Sequence, residues 1–155
     1  MQRNFLGIDP GANGGMALLS DSGYVLFASK FPETHRDLWD VLDCWVREYA
    51  DSRKWHCLIE KVASSPQMGV VSAFTFGKNY GVLLGLLTAS GIPFEYVYPS
   101  KWQKHFGCQS GRKNFKGGDK NVTKRKAQEL FPGEKITHAV ADALLIAEYA
   151  RRTCK

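Results

Sequence analysis

Three short apolar runs fall within the first thirty residues, each bounded by a turn signal, and they constrain the fold more than any other feature. Phe5-Leu-Gly-Ile-Asp9 stops at Asp-Pro-Gly, Met16-Ala-Leu-Leu19 follows Gly14-Gly15, and Tyr24-Val-Leu-Phe-Ala28 follows Asp21-Ser-Gly23. Runs this short, separated by glycine-containing turns, read as strands joined by hairpins, so an antiparallel meander is expected to open the domain. The period then changes. Leu38, Trp39, Val41, Leu42, Trp45, Val46 and Tyr49 recur at helical spacing. A fourth strand is expected over residues 55–62, a helix over 69–89 and a fifth strand over 93–97. Helices are expected over 100–106, 122–130 and 137–152. Strands separated by helices pair in parallel. The expected fold is therefore one α/β domain over residues 1–155, without repeat or linker. Its five-stranded mixed sheet has three antiparallel strands, then parallel strands, and is flanked by helices.

Inside the 69–89 helix, Gly77, Gly81 and Gly85 recur every fourth residue on one side. Each glycine costs a helix interior about 1 kcal/mol relative to alanine. Three in register point to close approach, either of a neighbouring element or of a second copy of the helix across a dimer interface.

Charge is unevenly placed. Between Lys101 and Lys126 stand nine basic residues against the single acid Asp119, leaving twelve basic and fourteen acidic residues elsewhere. A basic block in an otherwise slightly acidic chain points to a polyanion, with DNA or RNA first. No unbroken run of eighteen apolar residues occurs, so no membrane span is expected. The first residues carry no apolar signal region, so a cytoplasmic product is expected. Cys44, Cys57, Cys108 and Cys154 form no CxxC pair, as befits reduced thiols. Zinc is an alternative, since His105 and Cys108 are three apart and His56 adjoins Cys57, but no second pair completes either site.

Asp9 ends the first expected strand, Glu60 lies near the end of the fourth, and Asp142 sits about one turn into the last helix. Acids at strand ends suit a rim better than a core. If the two strands are neighbours, the three carboxylates converge and repel, and a cation would hold them together. Hard oxygen donors select Mg²⁺ or Mn²⁺, and a pair of such ions serves attack of water on a phosphodiester. His138, four residues before Asp142, shares its helical face and is a candidate fourth ligand. Taken singly, each has a simpler reading: Asp9 bonding its own turn, Glu60 as a surface acid, His138 as a helix-start residue.

These residues, in this order, resemble the RuvC-type Holliday junction resolvases, and among them the short bacteriophage versions. The motifs are Leu6-Gly-Ile-Asp9-Pro-Gly11, Leu58-Ile-Glu60 and His138-Ala-Val-Ala-Asp142-Ala-Leu-Leu-Ile-Ala147. Pro99-Ser-Lys-Trp-Gln-Lys104 and Lys126-Ala-Gln-Glu-Leu-Phe-Pro132 are also family-like. The resemblance spans nearly the whole chain. It implies an RNase H-like fold and a homodimer that binds four-way DNA junctions. It further implies two Mg²⁺ or Mn²⁺ ions per site, paired cuts leaving 5′-phosphates, and a cytoplasmic setting in a bacterium or phage-infected cell. Asp9, Glu60 and Asp142 would be metal ligands, with His138 in the fourth place. The family usually has an acid or histidine three residues before the final Asp, where this chain has Ala139. Lys101, Lys104, Arg112, Lys113, Lys116, Lys120, Lys124 and Arg125 would bind DNA phosphates. Lys120 and Lys124 rank first, and Lys104 after them, for a role at the scissile phosphate. Some relatives carry an aromatic wedge just after the Glu strand; here residues 63–68 hold no aromatic, Phe74 being the first, so either Met68 substitutes or the wedge is absent. No helicase partner is implied.

Other functions fit parts of this pattern. A nuclease of the same fold acting on other branched or flapped DNA would use the same acids. Gly7-Ile-Asp-Pro-Gly-Ala-Asn-Gly14 is similar to the first phosphate loop of actin- and sugar-kinase-like ATP-binding proteins. Those need two such domains and a second loop, which 155 residues do not hold. A DNA-binding module without catalysis would not need all three acids.

Overall fold

The computed structural model describes residues 3–49, 54–63, 65–109 and 120–154. In chain order the elements are β1 (Asn4–Asp9), β2 (Gly15–Ser20), β3 (Val25–Lys30), α1 (His35–Glu48), β4 (Trp55–Glu60) and α2 (Val70–Ala89). There follow β5 (Phe94–Val97), α3 (Pro99–His105), α4 (Lys120–Leu130) and α5 (His138–Thr153). The sheet order is β3-β2-β1-β4-β5. β1–β2 and β2–β3 pair antiparallel, whereas β1–β4 and β4–β5 pair parallel. This is the mixed sheet expected from the apolar runs.

Boundaries moved where local bonds end an element. Tyr24 belongs to the turn, its N–H given to Ser20 Oγ and its carbonyl accepting from Ser20 N, so β3 starts at Val25. β4 stops at Glu60 rather than running to residue 62. α1 is capped by Thr34, whose Oγ1 accepts from the Asp37 amide at 3.1 Å.

Alternation along the strands sorts side chains into two layers. Phe5, Ala17, Leu19 and Leu58 pack with Trp102 of α3, Ala127 of α4 and the length of α5. Leu6, Ile8, Met16, Leu18, Cys57 and Ile59 pack on the other face with Leu38, Leu42 and Trp45 of α1 and Leu83 and Leu87 of α2. Helices therefore cover both faces of the sheet.

α5 is the most deeply set helix, buried from Val140 to Ala150 at all but Asp142 and Tyr149. It lies on the sheet with its backbone almost in contact. A Cβ on Gly7 would collide with the Ala143 carbonyl oxygen and the Ala147 amide nitrogen; one on Gly15 would stand 2.7 Å from the Ala139 carbonyl oxygen. Ala139, Ala143 and Ala147 recur every fourth residue, so the small side of the helix meets the glycines of the sheet.

α2 departs from expectation. No unbroken apolar run reaches eighteen residues, yet this 20-residue helix is long and apolar enough, by length and composition, to cross a membrane. Only Leu83 and Leu87 are buried. Val70, Val71 and Phe74 are 86%, 80% and 73% exposed, and nothing lies within 4 Å of a Cβ added at Gly77, Gly81 or Gly85. The glycines are thus not explained by packing within the described residues.

Gly7→Ala is expected to lower the unfolding free energy by about 2–3 kcal/mol, because the obstructing atoms are backbone and cannot swing aside. Urea denaturation reads this as a lower midpoint at unchanged slope. A wild-type midpoint would mean that α5 is not seated on β1 as described.

Candidate active site

β1 and β4 run parallel with Gly7 opposite Leu58 and Ile8 opposite Ile59. One further step in that register brings Asp9 beside Glu60, on strands about 4.8 Å apart. Two residues on from Gly7 and Leu58, both acids belong to the α5 face. α5 supplies the third acid: Asp142 immediately precedes Ala143, whose backbone rests over Gly7. All three carboxylates are partly buried.

The turn after β1 holds Asp9 in place. The Gly11 amide donates to Asp9 Oδ1 at 3.1 Å, so the bond expected of an Asp-Pro-Gly turn does form. The Gly14 amide donates to the Gly11 carbonyl at 2.9 Å. A Cβ at Gly14 would lie 2.9 Å from Asp9 Cγ and would collide with the Asp9 carbonyl oxygen. Position 14 therefore admits only glycine while Asp9 stays where it is.

Glu60 registers the crowding. Burial first, and then the Asp9 charge, push its carboxyl up to about 7, with Asp142 adding a further push. One contact opposes them: the Trp102 indole Nε1 donates to Glu60 Oε2 at 2.8 Å. Three oxygen donors that repel one another suit a divalent cation, which would relieve the repulsion that raises Glu60. Among the described residues, no group of three such side chains is drawn tightly enough to hold an ion. His138 opens α5 at an exposed position one turn before Asp142.

The basic residues divide. Lys101 and Lys104 are exposed on α3; on α4, Arg125 is exposed and Lys124 partly so. Both helices pack in the layer that holds α5. Lys126 is paired with Glu129 at 2.9 Å. Lys120 begins α4, while Arg112, Lys113 and Lys116 lie outside the described residues. The residues of the zinc alternative have other neighbours. Cys57 is buried in the opposite layer, His56 stacks on Phe5, His105 packs edge-on to Tyr149 and Phe106, and the buried Cys108 thiol donates to the Phe106 carbonyl at 3.6 Å.

Beside Asp9 opens a cleft of about 660 Å³, walled by residues 10–14, residues 30–35 and the first half of α2. His35 Nε2 meets Asn79 Oδ1 at 3.0 Å across it. Trp102 and Gly14 were not singled out for the site in the sequence. Trp102 had a signal, being the one large apolar residue of a lysine-rich short helix, but nothing in the spacing joins it to Glu60.

No protein-family model and no curated protein matches the sequence. Solved structures do match. Two from Thermus thermophilus are RuvC in complex with Holliday junction substrate and a further RuvC structure. They align with TM-scores of 0.61 and 0.62 at 18% identity, covering 99% of this chain and 97% of theirs. The chain therefore has the RuvC fold, the RNase H-like arrangement of a mixed sheet flanked by helices.

In metal-free protein the raised Glu60 couples stability to pH. The folded state holds this proton more tightly than the unfolded chain, whose value is near 4.5. The contribution is complete below that value and is lost as pH rises through about 7. In EDTA, the melting temperature is expected to fall across this window, and Glu60→Gln should flatten the fall. An unaltered pH slope in Glu60→Gln would show that the Glu60 carboxyl is not raised in the folded protein.

Proposed function

We propose that the chain is a structure-specific DNA endonuclease that cuts four-way (Holliday) junctions. The observation that carries this reading is the convergence of Asp9 and Asp142 on Glu60, at adjacent strand ends of a fold shared with RuvC. One of the matching structures is of RuvC in complex with Holliday junction substrate, which supports branched DNA as the substrate class. Asp9, Glu60 and Asp142 would hold Mg²⁺ or Mn²⁺, two ions per site, with His138 as the fourth ligand. When bound, such ions neutralise the phosphate and acidify the attacking water.

The chain's own residues would do the rest. Lys120 or Lys124 would lie against the scissile phosphate and offset its developing charge. Lys101, Lys104, Arg112, Lys113, Lys116 and Arg125 would grip phosphates of the junction arms, adding affinity and salt dependence but no sequence information. Hydrolysis would break the bond between phosphorus and the 3′ oxygen, leaving a 5′-phosphate and a 3′-hydroxyl.

Paired cuts in opposed strands need two sites, and the exposed face of α2 offers a surface for a second copy. Val70, Phe74, Gly77, Gly81 and Gly85 fall on one side of the helix, opposite Leu83 and Leu87. Large apolar residues lead into a glycine row along which another helix can approach closely. The same composition that would suit a membrane thereby serves a partner helix.

A panel of labelled four-way, three-way and linear duplexes in Mg²⁺ tests the substrate. Symmetric paired nicks confined to the four-way junction are expected; equal cutting of all three would sink the junction-specific reading in favour of a broader nuclease. Asp9→Asn is expected to reduce cleavage by at least about a hundredfold, roughly 2.7 kcal/mol of barrier, with junction binding retained. Gly81→Glu is expected to convert a dimer to a monomer in sedimentation with unchanged helical content. A dimer that survives this change would place the interface elsewhere.

A further inference from the structure

Trp102 is fully buried in α3, and its indole N–H is given to Glu60 Oε2 at 2.8 Å. A buried indole N–H needs an acceptor, and here it meets a carboxylate at the rim of the proposed active site. Burial alone does not force the bond. Trp55 is almost as deeply set in the other layer, 2% exposed, and its Nε1 meets no acceptor among the described residues.

Both ends of the Trp102–Glu60 bond are held by their own elements. The Glu60 backbone is paired to Val97 of β5, and the next amide, Lys61, donates to the Val97 carbonyl at 2.8 Å. From Val97 the chain passes through Tyr98 directly into α3, whose first residue is Pro99, so the helix start is stiffened. Trp102 then packs with Val97, Leu58 and Phe106. β4, β5 and α3 thus form one braced unit, and its cross-member is the indole–carboxylate bond.

We infer that Trp102 is a positioning residue for Glu60. Its N–H engages Oε2 and sets the carboxylate's rotation, so that Glu60 would be held ready as a ligand of a cation shared with Asp9 and Asp142. This rests on the metal-centre reading above. Trp102 touches neither cation nor phosphate; it acts by holding the ligand that does. Loss of such an outer partner typically weakens metal affinity by about 10- to 100-fold.

The test is Mn²⁺ binding to metal-free protein, followed by the electron paramagnetic resonance signal of free Mn²⁺, in wild type and in Trp102→Phe. Junction affinity in EDTA serves as the control. Because phenylalanine leaves space in the core, the measurement is repeated with 3-benzothienylalanine at position 102, which has the indole's shape without its N–H. The Mn²⁺ dissociation constant is expected to rise about tenfold or more with both replacements, with junction affinity in EDTA unchanged. Wild-type Mn²⁺ affinity in the benzothienyl protein would overturn the positioning role, since only the hydrogen bond has been removed. Wild-type protein that takes up no Mn²⁺ would overturn the metal-centre reading itself, a result distinct from the first.

Discussion

The structure depends on one close approach, that of α5 to β1 at Gly7. With no side chain at Gly7, the helix backbone settles directly on the strand, and the carbonyl of Ala143 and amide of Ala147 occupy the space a Cβ would need. Gly15 repeats the arrangement against Ala139. Asp142 is carried to the ends of β1 and β4 because its neighbour Ala143 is pinned there. A bulkier pair at this crossing would lift the helix, and the third acid with it, away from Asp9 and Glu60.

Carboxylates brought together this way are in electrostatic conflict, and two donors answer it. Trp102 donates to Glu60, and the Gly11 amide donates to Asp9. Yet Glu60 stays raised, to about 7, first by burial and then by the Asp9 charge, against the lowering effect of the Trp102 bond. A site with surplus negative charge at its centre suits a bound cation. The Coulomb energies are large because the acids are partly out of water, where like charges are poorly screened.

Much of this was legible in the sequence. Short apolar runs with glycine turns announced the meander, and the switch to helical spacing at Leu38 announced the parallel half. Asp9 and Glu60 were visible because acids at the ends of apolar runs have nowhere to go but a rim. Three things were not legible, for physical reasons. Trp102 and Glu60 meet across 42 residues, a contact that exists only once β5 has turned the chain into α3. The open face of α2 was hidden because periodicity tells which residues share a side, not whether anything covers it. The end of β4 at Glu60 depends on pairing with Val97, which no local signal encodes. Arg112, Lys113 and Lys116, named from charge alone, lie outside the described residues.

The central claim is that Asp9, Glu60 and Asp142 share divalent cations. Anomalous diffraction at the manganese edge, from crystals grown with Mn²⁺ and a four-way junction, tests it most directly. The account predicts anomalous peaks lying between these three carboxylates and a junction phosphate. Manganese density elsewhere on the protein, with none among the three acids, would contradict it.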